Sequence, residues 1–337
     1  MVKELIKKQI RKTGTYRVIE IELEKSKDQI QTLQKDKQNL NQEKNILQND
    51  KLHYRSLVNN LRNENSSIKQ ILIDKKNLIK DSDFSKLTII IPYRKVADQD
   101  RENNLDINLK YLNNIGIPNI IISEHSDSSS EAVLIDSYQN LFKNFKVIWI
   151  DAKGELFNKS LAINKAVLLC KTPYFATFDM DCLTRKDNIN MAINLLDQGF
   201  EIVHPFDRKV QDIIDKQGFI EDYDFKTIKT KVQIRLFADG GLVFWNKSSF
   251  IKIGMQNEYF SGWGGEDNEI MLRADLFNLK HYRINDVLYH LYHKRDKKRS
   301  KNNFNLEEKT RQLQNREECL KEISKWPWVV ENKELSQ

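Results

Sequence analysis

Four short apolar, β-branched runs, each close to a stretch of helical character, constrain this chain more than any other feature. Leu87-Thr88-Ile89-Ile90-Ile91 is the first and ends at Pro92; residues 119–123, 146–150 and 173–178 are the others. Helical patterns over 105–112, 131–141 and 158–170 lie between them. Apolar runs without polar alternation suit strands buried on both faces. Their alternation with helices predicts an α/β fold with a mostly parallel central sheet. Such sheets bind ligands at the carboxyl ends of their strands. Pro92-Tyr93-Arg94 and Asp179-Met180-Asp181, which follow the first and fourth runs, should therefore share one crevice.

The second half supplies more chemistry. Residues 201–204 read as a further strand, and Gly240-Gly241 as a turn into another. Ser261-Gly262-Trp263-Gly264-Gly265-Glu266-Asp267 then places three glycines, an indole ring and two carboxylates directly before an apolar helical pattern. A ring beside a carboxylate pair suits a sugar, which stacks on the one and gives a hydroxyl proton to the other. Acidic residues also favour an ordinary helix N-terminus, through its dipole. Residues 287–293 alternate like a strand and carry His290 and His293. There is no GxGxxG and no GxxxxGK[ST], so a nucleotide is not held as in a dehydrogenase or a P-loop enzyme. Asp-x-Asp offers another method: its hard oxygens bind a divalent cation, which neutralises a diphosphate. The histidine pair could complete that site. The basic run 294–299 could face a diphosphate or simply solvent. The tail from Leu306 to Trp326 reads as a polar helix, with Trp326-Pro327-Trp328 closing the core.

The N-terminal part is different. Residues 16–72 hold almost no Gly or Pro, and Ile19, Leu33, Leu40, Leu47, Tyr54, Leu61 and Ile68 fall in a heptad series broken at Ser26. The companion seam turns polar at Lys37, Lys44 and Lys51. This predicts an α-helical coiled coil that self-associates, or else a single solvated helix. The chain is thus expected as a helical arm over 1–82, a catalytic domain over 83–300 and a C-terminal helical segment over 301–337. The first dozen residues, with Val2, Leu5 and Ile6 among lysines, could lie against an anionic membrane as a peripheral contact. The net charge of +7 suits anionic partners or mere solubility. No nucleic-acid module is recognisable, so no nucleic-acid partner is expected. Three scattered cysteines, no signal-peptide core and no long apolar span point to a cytoplasmic protein.

The order of motifs resembles one family. Ile90-Ile91-Pro92-Tyr93-Arg94, Phe157-Asn158-Lys159, Asp179-Met180-Asp181, Gly240-Gly241, Gly262-Trp263-Gly264-Gly265-Glu266-Asp267 and His293 with Arg295-Asp296-Lys297-Lys298 are similar to the motifs of GT-A-fold glycosyltransferases. The resemblance is to the β-1,4-galactosyltransferase group and bacterial chondroitin-polymerase-type enzymes, over roughly residues 87–298. It implies an inverting transferase, dependent on Mn²⁺ or another divalent cation, that moves Gal or GalNAc from a UDP-sugar donor to a glycan acceptor hydroxyl. The setting it implies is surface polysaccharide or glycoconjugate synthesis. It further implies that Pro92, Tyr93, Arg94, Phe157, Lys159, Asp179, Met180 and Gly241 bind the nucleotide sugar. Asp181, His290 and His293 would hold the metal. Trp263, Gly264 and Gly265 would meet the sugars, with Asp267 as base and Glu266 beside it. The donor's C2 substituent would be read near Phe237 and Ala238. The competing expectation is a coiled-coil scaffold whose glycosyltransferase-like domain binds sugar without turnover.

Overall fold

The computed structural model describes residues 2–10, 81–234, 239–293 and 301–332. The chain divides into two compact units, Met1–Ile73 and Asp74–Gln337. In the first, helix α1 (Val2–Ile10) leaves Val2, Leu5 and Ile6 exposed. The coiled-coil series over 16–72 lies outside the described residues, as do the basic run 294–299 and the pair Phe237 and Ala238. Among the described residues no helix is long and apolar enough to cross a membrane.

The second unit opens with β1 (Leu87–Tyr93), α2 (Gln99–Asn114), β2 (Asn119–Ser126), α3 (Glu131–Tyr138), β3 (Asn144–Asp151), α4 (Lys159–Leu169) and β4 (Tyr174–Phe178). It continues with β5 (Cys182–Leu183), α5 (Lys186–Asp197), β6 (Ile202–His204), β7 (Lys209–Ile213), α6 (Lys216–Asp222), β8 (Thr230–Ile234), β9 (Leu242–Asn246) and α7 (Lys247–Lys252). Then follow α8 (Glu266–Leu276), β10 (His281–Arg283), β11 (Val287–Leu291), α9 (Lys301–Arg311), α10 (Arg316–Ile323) and α11 (Pro327–Glu331).

Seven strands form the main sheet in the order β10-β6-β9-β4-β1-β2-β3. The four runs read from the sequence are its neighbours β4-β1-β2-β3, all parallel. Every residue of β1 and β2 is buried, whereas the edge strand β3 alternates. That difference is expected of central and edge positions. β1 runs on through Pro92, two residues past the expected end. Its pairing with β4 stops at Ile90↔Thr177 while pairing with β2 continues to Tyr93↔Glu124, so the missing proline N–H leaves no β4 partner wanting. The sheet is mixed, because β9 is antiparallel to both β4 and β6. This reversal brings the Gly240-Gly241 turn back to the edge where β4 ends.

A second sheet, β5-β11-β7-β8, stands beside that edge. β11 pairs antiparallel with β5, His290 opposite Cys182, and parallel with β7, His290 opposite Asp212. Tyr111, Phe219, Phe225 and Tyr289 pack around it. The larger core gathers Phe175, Trp245, Phe250, Cys319, Trp326 and Trp328, so the two C-terminal tryptophans do close it. Within this core α8 carries the ion pair Glu269–Arg273 at 2.8 Å, both side chains shut off from solvent. Arg273 also stacks on Trp326. Removing either member would strand a buried charge, at a cost of about 3–5 kcal/mol. α8 is thereby fixed along its length, and its first turn is the start of the site.

Candidate active site

Two clusters of titratable side chains meet at the strand ends. The first is centred on Lys159, in the first turn of α4. That helix begins where Asn158 caps it, its side chain accepting from the Leu161 N–H at 2.9 Å. The Lys159 Nζ lies 3.0 Å from Asp179 Oδ1, 3.1 Å from Asp267 Oδ2 and 3.6 Å from Glu266 Oε1. One ammonium therefore joins carboxylates from the end of β4 and the start of α8. Burial alone would lower Lys159, but the charges of Asp179, Asp267 and Glu266 outweigh it and hold the ammonium well above the usual lysine range. Glu266 is pushed up to about 7, chiefly by burial and then by Asp267, with Lys159 opposing. Burial also raises Asp179, yet 34% of that side chain meets solvent, which tempers the shift.

Glycine makes this approach possible. A Cβ on Gly240 would fall 1.8 Å from Asp267 Oδ2, so only glycine lets the carboxylate sit against the turn. Gly265 caps α8 with φ 101°, a left-handed conformation that lets the chain turn sharply into three acidic residues, Glu266, Asp267 and Glu269. Both the site reading and the helix-dipole reading of this stretch describe the same carboxylates.

The second cluster is Asp181, His290 and His293, whose ligating atoms lie within 4.8 Å of one another. Asp181 Oδ2 is 2.8 Å from His293 Nε2 and 3.7 Å from His290 Nε2. In a strand, positions 290 and 293 would face opposite sides. The strand ends at Leu291, and the chain then turns His293 back toward the same carboxylate. His290 Nδ1 lies 2.8 Å from Asp212 Oδ1, with Nε2 on the Asp181 side of the ring. A carboxylate behind a histidine is the usual outer support of a metal ligand. Burial pushes Asp181 up, but the His293 hydrogen bond and the pull of both imidazoles hold it below the usual carboxylate range. One hard oxygen and two imidazole nitrogens, already converged and backed by Asp212, fit a divalent ion of the Mn²⁺ type.

The turn between the clusters is held from α2. Asn108 Nδ2 donates to the carbonyls of Cys182, Met180 and Asp179 at 2.9, 3.3 and 3.4 Å. Asn104, one helical turn earlier, donates to the Leu291 carbonyl at 3.0 Å. Both asparagines are fully buried. The Asp179 N–H donates to the Gly241 carbonyl at 2.8 Å, tying this turn to the glycine turn. Asn104, Asn108 and Asp212 escaped the sequence reading. The available signal was two asparagines four apart on an otherwise apolar helix face.

The remaining expected residues fall into two groups. Phe157 stands by His125 of β2 with ring centroids 6.1 Å apart, and its carbonyl accepts from the Gly262 N–H at 2.8 Å. Arg94 lies near enough to His125 to depress it further, after burial. Trp263 is 55% exposed, a large ring turned to solvent three residues before Glu266. Pro92, Tyr93 and Met180, by contrast, present almost no side-chain surface; the Tyr93 hydroxyl is given to Glu102 at 2.7 Å.

Residues 224–294 match the family model described as the N-terminal domain of galactosyltransferase. That segment contains Gly240-Gly241, Trp263, Glu266, Asp267, His290 and His293. No curated protein matches the sequence. Among solved structures, the catalytic domain of Drosophila β1,4-galactosyltransferase 7 in complex with xylobiose is 16% identical, covering 68% of this chain and 82% of that one, with a TM-score of 0.42. S. aureus TarS 1–349 is 14% identical over 61% of this chain and 60% of that one, with a TM-score of 0.44. TarS 1–349 in complex with UDP-GlcNAc is 12% identical over 62% and 59%, with a TM-score of 0.43. The assignment rests on the matched segment and on the site within it: the chain resembles galactosyltransferases there, and it is a glycosyltransferase.

Proposed function

We propose that this glycosyltransferase moves galactose or N-acetylgalactosamine from a UDP-sugar to a glycan hydroxyl with inversion, on a GT-A-type scaffold. The observation that carries the reading is the junction of the two clusters. A base cluster on Lys159 and a metal-type cluster on Asp181 are separated only by Met180. A sugar C1 bound between them would have a carboxylate on one side and cationic groups on the other.

Asp267 takes the proton of the acceptor hydroxyl as its oxygen attacks C1. The C1–O bond to the diphosphate breaks, and UDP leaves with the electron pair. No covalent intermediate is needed, and inversion follows from the single displacement. Glu266, partly protonated near neutrality, can donate to a sugar oxygen as well as accept from a hydroxyl. Lys159 holds Asp267 at 3.1 Å in the free enzyme, and the donor diphosphate offers its ammonium a competing anion. Asp181, His290 and His293 would hold the Mn²⁺-type cation, which supplies charge to neutralise the departing diphosphate. Arg94, Phe157 and Lys159 would line the nucleotide side with the backbone of Pro92, Tyr93, Met180 and Gly241. Trp263, Gly264 and Gly265 would form the sugar platform.

The biological setting proposed is cytoplasmic synthesis of a surface polysaccharide or glycoconjugate. Cys170, Cys182 and Cys319 are buried and scattered through the fold, which accords with a reducing compartment. Self-association through residues 16–72 and peripheral membrane contact by α1 belong to the same proposal; light scattering of the full chain and vesicle sedimentation test them. The test of the activity is UDP release from UDP-Gal, UDP-GalNAc and UDP-GlcNAc with Mn²⁺ and a panel of glycan acceptors. Acceptor-dependent release is expected with one of the first two donors. Donor binding without release for any acceptor would instead identify a non-catalytic sugar-binding domain.

A further inference from the structure

We propose that Asn303 of α9 is a positioning residue that fixes the sugar-platform loop, residues 261–264, and so sets acceptor recognition. The acceptor part of this inference rests on the function proposed above; the positioning part does not. Asn303 is fully buried. Its Nδ2 donates to the carbonyls of Ser261 and Gly264, each at 3.0 Å, and of Trp263 at 3.4 Å. Its Oδ1 accepts from the Ser261 N–H at 3.4 Å. One side chain from the C-terminal helices thus serves four backbone groups of the loop that presents Trp263.

The loop has need of such a partner. Gly262 and Gly264 have φ of 69° and 94°, so the segment cannot pair as a strand or close as a helix. Its carbonyls must find donors elsewhere. A carboxamide carries two N–H donors, shared here among three carbonyls, and a carbonyl acceptor. Aspartate lacks the donors and alanine lacks both. Among the described residues the loop is also tied by the Gly262 N–H to the Phe157 carbonyl. A second tie from α9, Thr310 Oγ1 to Glu269 Oε1 at 2.9 Å, holds the helix that follows the loop. Asn303 is therefore the fixed point against which Trp263 and, three residues on, Glu266 are placed.

The test uses the full chain with Asn303→Ala, Asn303→Asp and Asn303→Gln. Amide hydrogen exchange is read on a peptide spanning 259–265 and, as control, on one spanning 87–93. Loss of these shared bonds should speed loop exchange about tenfold in the alanine and aspartate variants and leave β1 unchanged. The glutamine variant should recover part of the protection. Steady-state transfer should show the acceptor KM raised about tenfold, with the donor KM within about twofold. The aspartate variant, close to isosteric, gives the reading if the alanine variant does not fold. Unchanged loop exchange overturns the positioning role. Faster exchange with equal rises in both KM values overturns the acceptor role. If the wild type releases no UDP at all, the transferase reading fails, and faster loop exchange would still establish what Asn303 does.

Discussion

The two clusters at the strand ends are held together in different ways. The Lys159 cluster is held by charge: three carboxylates from two elements share one ammonium. The Asp181 cluster is held by backbone: β11 pairs with β5 on one side and β7 on the other, and those pairings bring His290 to Asp181 and to Asp212. Like charges brought close need a counter-ion to stay close. Ligands set by strand register need none, and their outer support tunes them only. The base cluster should therefore be reorganised by losing one cation, while the metal-type cluster should weaken in small steps.

The largest effect expected is from Asp267→Asn. It keeps the shape, removes the base, and should lower transfer about 10³-fold with the Mn²⁺ affinity within about threefold. Retention of full transfer would move the base elsewhere. Next is Lys159→Met, which leaves Asp179, Glu266 and Asp267 without their cation. Chemical denaturation at pH 8 should show a loss of about 3 kcal/mol. The loss should shrink toward pH 5.5: the remaining carboxylates repel one another, their folded-state affinity for protons rises, and protonation relieves them. If this variant also abolishes Mn²⁺ binding by calorimetry, the two clusters are one. Asp212→Asn should do the opposite, reducing Mn²⁺ affinity about 10- to 100-fold with little change in stability. Equal losses of metal affinity in both variants would remove the distinction drawn here.

The same contrast decides what the sequence could reveal. Strands β1, β2 and β4 were legible because an apolar run announces itself locally, and a strand end in a parallel sheet has only one kind of neighbourhood. Asp179, Asp181, Glu266 and Asp267 were legible as motifs, since each lies within two residues of its partner. What joins them was not. Asp212 sits in Lys209-Val210-Gln211-Asp212-Ile213, a strand too polar to read as one, and no spacing connects it to His290. Asn108 reaches the Asp-x-Asp turn from 71 residues away in sequence, Asn303 the platform loop from about 40. Such contacts depend on tertiary register, which composition and periodicity do not encode. The antiparallel course of β9 was missed for a related reason: an apolar strand reads alike in either direction, and only its place between β4 and β6 distinguishes them.

The smallest effect comes from Glu266→Gln, and it tests the charge-held cluster without breaking it. Glu266 faces Lys159 from α4, Asp179 from the end of β4 and Asp267 beside it on α8. Its folded-state pKa is about 7, against 4.5 ordinarily. Between those values the unfolded chain gives up its proton while the folded chain keeps it. Stability from this group is therefore full below pH 4.5, falls as pH rises, and is lost above 7. Glutamine cannot ionise, so the variant should match the wild type near pH 4.5 and melt higher at pH 8, by on the order of 4 °C. A variant that instead melts lower than the wild type at pH 8, with the difference vanishing toward acid, would mean that Glu266 is ionised and stabilised by Lys159, with no proton to lend a sugar oxygen. In that case the ammonium, not burial, sets its charge, and the Lys159→Met loss at pH 8 should exceed 3 kcal/mol by about the share that Glu266 contributes.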